Sequence, residues 1–286
     1  PLVSGMLSLA DSHLPCVDMG DALVARAMLK LDSNDTPGAW ADLMAARHLA
    51  RLVGRGYSLV GCLVALAIET RACSGCRGMA GSGKLTGAQA RAFLAEMQRL
   101  SPLPDIVDMI DEGERFVVLD MVMGMARTAS KKGVRGLVDL KATEKTPRVT
   151  SLEWDEMLMM INPWHDSFVS AARRKTFKAR TDAFAAYERR IKKHQSQMKK
   201  LPSFTSFISM YFGDSAIMKD RRRTTMLDIS RTFGDIMVAM LPPSSGRAVE
   251  LRDRGATEGQ LALVAMALAA YRAEKHAYPE KLSPLA

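Results

Sequence analysis

The stretch Asp21–Gly54, DALVARAMLKLDSNDTPGAWADLMAARHLARLVG, decides the fold class. Leu23, Ala27 and Leu31 recur at helical spacing and share one side of a helix over Asp21–Leu31. Ser33-Asn34-Asp35 then reads as a turn. Thr36 is placed to cap a second helix, with Pro37 in its first turn, where a missing N–H costs nothing. That helix runs to about Val53 and buries Trp40, Leu43, Met44, the stem of Arg47 and Ala50, before Gly54 and Gly56 end it. Two helices joined by so short a turn form a hairpin. No second copy follows at a fixed spacing, so a regular solenoid is not predicted.

The composition extends this reading to the rest of the 286 residues. Ala, Leu and Met supply 89 of them and the β-branched pair Val and Ile only 26, which favours helix over strand. Apolar residues at 48% and charged residues at 25% exclude a disordered chain, and four Cys are too few for a disulfide scaffold. The predicted fold is all-α, an irregular array of helical hairpins.

Further along, Ser58–Ala72 is apolar nearly all round and reads as a central helix, while the Gly-rich Cys73–Gly87 reads as a loop. Thr86 and Gln89 have capping-box spacing and open a helix to Leu100, which Ser101–Pro104 breaks. Glu112–Ala129 is a further helix, with Phe116, Leu119, Met123 and Ala126 in register. Lys131–Pro147 is polar and forms the best internal boundary, and Thr150 with Glu153 caps a helix to Ile161. Asn162-Pro163 then restarts a long helix to about Lys200, in which Phe177, Phe184, Ile191 and Met198 recur every seven residues as a narrow seam. An aromatic run, Phe204–Phe212, precedes a helix over about Ser215–Leu241, and Thr257–Lys275 is the last helix. The chain divides as 1–145, 146–241 and 242–286, or stands as one continuous domain. Its uncharged apolar runs, Tyr57–Ile68 and Gln260–Tyr271, fall short of the roughly 20 residues a spanning helix needs. No transmembrane span is expected in it, and a start at Pro1 suggests that the chain was cut.

Charge placement gives the functional lead. Arg173–Lys200 holds eleven Lys and Arg against Asp182 and Glu188, an excess equal to the whole net charge of +9. Candidate residues for an anionic partner are Arg173, Arg174, Lys178, Arg189, Arg190, Lys192 and Lys193, and a second basic knot follows at Lys219, Arg221, Arg222 and Arg223. Basic helices beside amphipathic aromatic segments sit on anionic membrane surfaces or acidic proteins. The same cations would also suit the phosphates of a nucleic acid. The plainer alternative is a solvated face met by the molecule's own acids, with Asp105–Glu114 the nearest acidic run.

Other motifs are weaker. Cys73-Ser-Gly-Cys76, completed by His13 and Cys16, would give a tetrahedral zinc set, and the CxxC alone a redox dithiol. Gly78–Thr86 approaches a phosphate loop, but Leu85 stands where the metal-binding hydroxyl belongs and no strand precedes it. His165-Asp166 has the residue types of an oriented general base, although neighbours on a helix point about 100° apart. Packing of Trp154 and Trp164 at a helix junction capped by Asn162 explains that region equally well. No catalytic constellation and no cofactor motif emerges, and the balance leans away from an enzyme.

Ala22–Glu69 resembles a group of uncharacterised all-helical proteins abundant in planctomycetes, as do GERFVVLDMVMGMAR (Gly113–Arg127), INPWHD (Ile161–Asp166) and LALVAMALAAYRAEKHAYPEKLSPL (Leu261–Leu285). The resemblance implies a helical fold. It also implies a hydrophobic segment upstream, and hence the cell envelope. The last stretch is similar as well to the helix-then-Tyr-Pro pattern of type II secretion pseudopilins, with His276-Ala277 where that pattern prefers Asn-Gly. It is a shared way of ending a helix.

Overall fold

A computed structural model of the chain describes residues 2–56, 58–132, 153–198, 226–239 and 245–283. Every long regular element among them is a helix and none is a strand, as the composition predicts. The helices are α1 (Leu2–Asp32), α2 (Thr36–Gly54), α3 (Leu59–Gly81), α4 (Gly87–Arg99), the single turn α5 (Ile106–Asp108), α6 (Arg115–Lys132), α7 (Trp154–Ala172), α8 (Phe177–Met198), α9 (Met226–Ala239) and α10 (Ser245–Lys275). A π-helical segment, Met109–Glu114, joins α5 to α6. The chain folds as two units. Ser4–Met109 and Arg247–Ala286 make a terminal unit, and Ile110–Gly246 a central one.

In the terminal unit, α1 and α2 form the expected hairpin. The cap is Asp35 rather than Thr36: its carboxylate accepts from the Gly38 N–H at 3.0 Å, one residue earlier than the Thr-Pro signal places it. Trp40 is buried, stacks on Phe93 at 4.2 Å and donates from Nε1 to Glu96 at 2.6 Å. Those contacts tie α2 to α4. Lys84, the lysine of the near-phosphate loop, donates to the carbonyls of Leu31 and Asp32 at 2.8 and 2.9 Å. It closes the C-terminus of α1, where a cation also suits the helix dipole. Thr86 and Gln89 form the full capping box at the start of α4.

The expected loop over Cys73–Gly87 is instead the last third of α3, and only Ser82–Thr86 is left as a connection. One glycine there serves packing. A Cβ on Gly75 would lie 2.5 Å from Cδ2 of the buried Leu43, so this glycine lets α2 lie close against α3. Cys73, Cys76 and Met79 complete the buried face beside it. Among the described residues α3 is the one helix long and apolar enough to cross a membrane, but half of that window is buried inside the fold. Glu69 in its middle is ion-paired to Arg47 and Arg51 of α2, as befits the core helix of a bundle.

In the central unit the expected helix from Asn162 to Lys200 is two helices. Pro163 lies inside α7, and the break falls at Arg173–Thr176. Three consecutive cations follow the C-terminus of α7, where they suit the helix dipole, and Thr176 caps α8 by accepting from the Ala179 N–H at 3.2 Å. The Asn162 junction is therefore replaced by a continuous α7, along which Trp154 meets Phe233 edge-on and Trp164 meets His194. The seven-residue seam keeps its core. Phe184, Tyr187 and Ile191 are buried, with Phe184 and Tyr187 against Phe168 of α7. Phe177, at the start of the seam, is 61% exposed. Gly234 of α9 brings that helix against Met160 of α7, where a Cβ would meet Sδ at 2.8 Å.

The register expected for α6 also changes. Phe116, Leu119 and Met123 are exposed, while Val122 is buried. All of the expected positions lie within α6, after the π segment at Met109–Glu114, so their spacing is helical and only the choice of buried face differs.

Candidate functional site

The cationic segment is built on α8 and the turn before it. Helical geometry sets Lys178, Arg189, Lys192 and Lys193 on the side away from the buried Phe184, Tyr187 and Ile191, and all four are exposed. Lys178 pairs with Asp182 at 3.2 Å and Lys192 with Glu188 at 3.8 Å. Both are exposed pairs within one helix, which water and salt screen strongly. Arg173 pairs with Asp111 at 2.9 Å, so the acidic run accounts for one cation of the segment. Arg190 lies over the Trp164 ring at 4.1 Å and donates to the Ser167 hydroxyl at 3.1 Å, which uses it in packing α8 to α7. Arg180 donates to the carbonyls of Arg174 and Lys175. No carboxylate among the described residues pairs with Arg174, Lys175, Arg189 or Lys193. The second basic knot, the aromatic run Phe204–Phe212 and the Lys131–Pro147 boundary lie outside the described side chains.

The other candidates part company. Cys73 and Cys76 are buried free thiols on α3, and Cys16 is half-buried on α1. The side chain of His13 lies outside the described residues. Burial pushes both Cys73 and Cys76 up to about 12, the Glu69 carboxylate adding to the effect, so both are thiols at neutral pH. Cys73 donates to Glu69 at 3.8 Å. A thiolate is what binds zinc or attacks a disulfide, and among the described residues no group of three metal-ligating side chains is gathered. His165 is buried and donates from Nε2 to the Ile110 carbonyl at 2.8 Å, while Asp166 turns to Arg115 at 2.5 Å. The adjacent pair is thus held by different partners and forms no dyad.

Sequence reading missed a charge centre in the terminal unit. Arg47 and Arg51, one turn apart on α2, close on the single carboxylate of Glu69 on α3. Arg47 donates from Nε and Nη2 to Oε1 at 3.0 and 2.7 Å, and Arg51 from Nη1 to Oε2 at 2.8 Å. Arg51 also donates to the carbonyls of Arg47 and Ser101. All three residues are buried. Burial alone would raise the Glu69 carboxyl, but the two guanidiniums outweigh it and hold the group below the ordinary carboxylate range. The signal was present in the sequence: Arg47 falls on the apolar face of its helix, and Glu69 interrupts an apolar one. The expectation buried only the stem of Arg47, whereas the whole guanidinium goes in.

No protein-family model, curated protein or solved structure matches the chain.

Proposed function

We propose that the protein is a helical interaction protein of the cell envelope that holds an anionic membrane surface with the cationic face of α8. The observation that carries the reading is the exposed set Arg174, Lys175, Arg189 and Lys193, free of carboxylate partners among the described residues. A membrane is favoured over an acidic protein by Phe177, an exposed aromatic ring that follows the Arg173–Lys175 cations. Amphipathic interfacial segments pair such rings with cations, the ring entering the headgroup region and the cations meeting lipid phosphates. The resemblance to planctomycete-type proteins points the same way.

The test is co-sedimentation with phosphatidylserine-containing vesicles against phosphatidylcholine vesicles at low salt. Each cation at such a surface contributes about 1 kcal/mol, so replacing Arg174, Lys175, Arg189 and Lys193 by Ala is expected to weaken binding by up to about a thousandfold. Phe177→Ala should weaken it further without changing its salt dependence. Equal sedimentation of wild type and the four-site variant would remove the reading. Binding to duplex DNA with a steep log–log salt slope, and none to vesicles, would replace it with nucleic-acid recognition.

A further inference from the structure

The Arg47–Glu69–Arg51 centre forms part of the lining of a cavity of about 900 Å³ contained within the terminal unit. Its other walls are largely apolar, with Leu66 of α3, Met97 of α4, Leu103 and Ile106 between α4 and α6, and Leu263 of α10. The volume lies within the range of small-molecule sites.

The charge balance at the lining is what points to a ligand. Within the triad two guanidiniums share one carboxylate, an excess of one buried positive charge. The neighbouring thiols of Cys73 and Cys76 are neutral, and Arg252, also in the lining, is already paired to Asp105 at 3.2 Å and Asp253 at 2.9 Å. Asp105 is committed in turn to capping α5 through the Val107 N–H. Hydrogen bonding is unsaturated at the same place. Nη1 of Arg47 is buried with no acceptor, and Nη2 of Arg51 has only a long contact of 3.4 Å to Glu69. Buried cations and their donors are ordinarily satisfied, because an unmet one is costly.

We propose that this cavity binds a single-chain amphiphile with a carboxylate head, a fatty acid in chemical class. Its head would be held by Arg47 and Arg51 and its tail would lie along the Leu66, Met97, Leu103 and Leu263 walls. A planar carboxylate matches the guanidinium fork, and a monoanion balances the single excess charge. A phosphate monoester, as a dianion, would leave a net negative charge among apolar walls. Neither α8 nor membrane binding enters this assignment.

Gly259 of α10 lines the cavity, and a Cβ built there meets nothing within 4 Å. Gly259→Phe therefore starts a bulky side chain from open space at the cavity wall and improves helix propensity at the same position. The experiment is isothermal titration of the whole chain with decanoate, decanol and decyltrimethylammonium. Wild type is expected to bind one decanoate per chain, to bind decanol at least about tenfold more weakly, and to bind the ammonium compound not at all. Gly259→Phe should lose decanoate while melting at or above the wild-type temperature. The proposal is overturned if wild type takes up no decanoate at about 1 mM, a limit near −4 kcal/mol of binding. Decanol binding as tightly as decanoate, or a folded Gly259→Phe binding like wild type, would overturn it too. Should Gly259→Phe fail to fold, the series of head groups on the wild type decides alone.

Discussion

The two units treat similar pairs of cations in opposite ways. In the terminal unit, Arg47 and Arg51 stand four residues apart on α2 and turn inward onto Glu69, with Arg47 only 5% exposed. In the central unit, Arg189 and Lys193 stand four residues apart on α8 and turn outward, away from Phe184, Tyr187 and Ile191. The spacing is the same, and the register against the apolar seam differs. A cation in register with the seam must bring a carboxylate with it, because an unpaired charge in the interior is expensive. A cation out of register needs no partner and remains available to one outside the molecule. The same arithmetic of helical phase thus turns one pair of cations into the fold and the other out to solvent.

The sharpest way to break that contrast is to remove Glu69. Glu69→Gln leaves two buried guanidiniums facing an uncharged amide and is expected to cost about 3–5 kcal/mol, read from urea denaturation. Replacing the triad by Met, Leu and Leu at Arg47, Arg51 and Glu69 should recover most of that loss. If Glu69→Gln unfolds like wild type, the triad carries no structural charge. Acid should act through the same group. The Glu69 carboxyl is held low, burial being outweighed by the two arginines, and Asp42 is held low by its hydrogen bond from Arg26 against a smaller cost of burial. A carboxyl lowered by folding contributes stability in full above its unfolded value of about 4 and loses it as pH falls through the folded value. Melting temperature should therefore fall with acid below that point, and fall less steeply in Glu69→Gln.

A smaller effect separates close packing from open helix. Gly75→Ala forces a Cβ to within 2.5 Å of Leu43 Cδ2 in the α2–α3 contact. Overpacking there should cost about 1–3 kcal/mol. Gly124→Ala on α6 meets nothing within 4 Å and should stabilise by about 0.5–1 kcal/mol, as a helix glycine replaced at no steric cost. Denaturation midpoints of the two variants moving in the same direction would contradict a close approach of α2 to α3 at Gly75.

What the sequence made legible follows the same line. The α1–α2 hairpin, the Thr86–Gln89 box and the buried seam of α8 were readable because each rests on local spacing: a turn, a cap, a seven-residue recurrence. The readings that failed depend on what lies across the fold. Glycines at 75, 78 and 81 signal a loop until Leu43 is known to lie against one of them. The face that α6 buries, with Val122 inward and Phe116 outward, depends on what packs against it. Pro163 suggests a helix start, yet α7 runs through it and the true boundary is the Thr176 cap. At the candidate sites, spacing alone placed Arg189, Lys192 and Lys193 off the buried seam of α8, though the packing of Arg190 on Trp164 was not readable from it. The buried triad was not readable either, because its two halves lie on separate helices and only a contact between them reveals the charge left over.

Helix ending offers the next prediction down the scale. His276 closes α10 with φ at +57°, its N–H donating to the Arg272 carbonyl at 2.8 Å. This is the left-handed position at which glycine carries no Cβ penalty and where Asn is the usual second choice. His276→Gly should raise stability by about 0.5–1 kcal/mol, the Cβ relief being partly offset by the greater entropy of glycine in the unfolded chain. His276→Val, β-branched at the same backbone angle, should lower it. A shift of the two variants in the same direction by thermal melting would mean that the helix end does not hold this angle.

The smallest expected effect on stability is the most informative for function. Arg189→Ala and Lys193→Ala remove charges that meet no carboxylate among the described residues, so each should leave the denaturation midpoint within about 0.5 kcal/mol of wild type. Arg190→Ala should not behave alike, although it lies between them, because its guanidinium stacks on Trp164 at 4.1 Å and binds Ser167. A cation–π contact of this kind is worth about 0.5–1 kcal/mol at an exposed site. Three neighbouring cations are thereby sorted by one experiment. If Arg189 and Lys193 change stability as much as Arg190 does, their charges serve the fold, and the outward face of α8 loses its claim to a partner. If only Arg190 does, Arg189 and Lys193 are charges the fold does not need, and the vesicle assay decides what they serve.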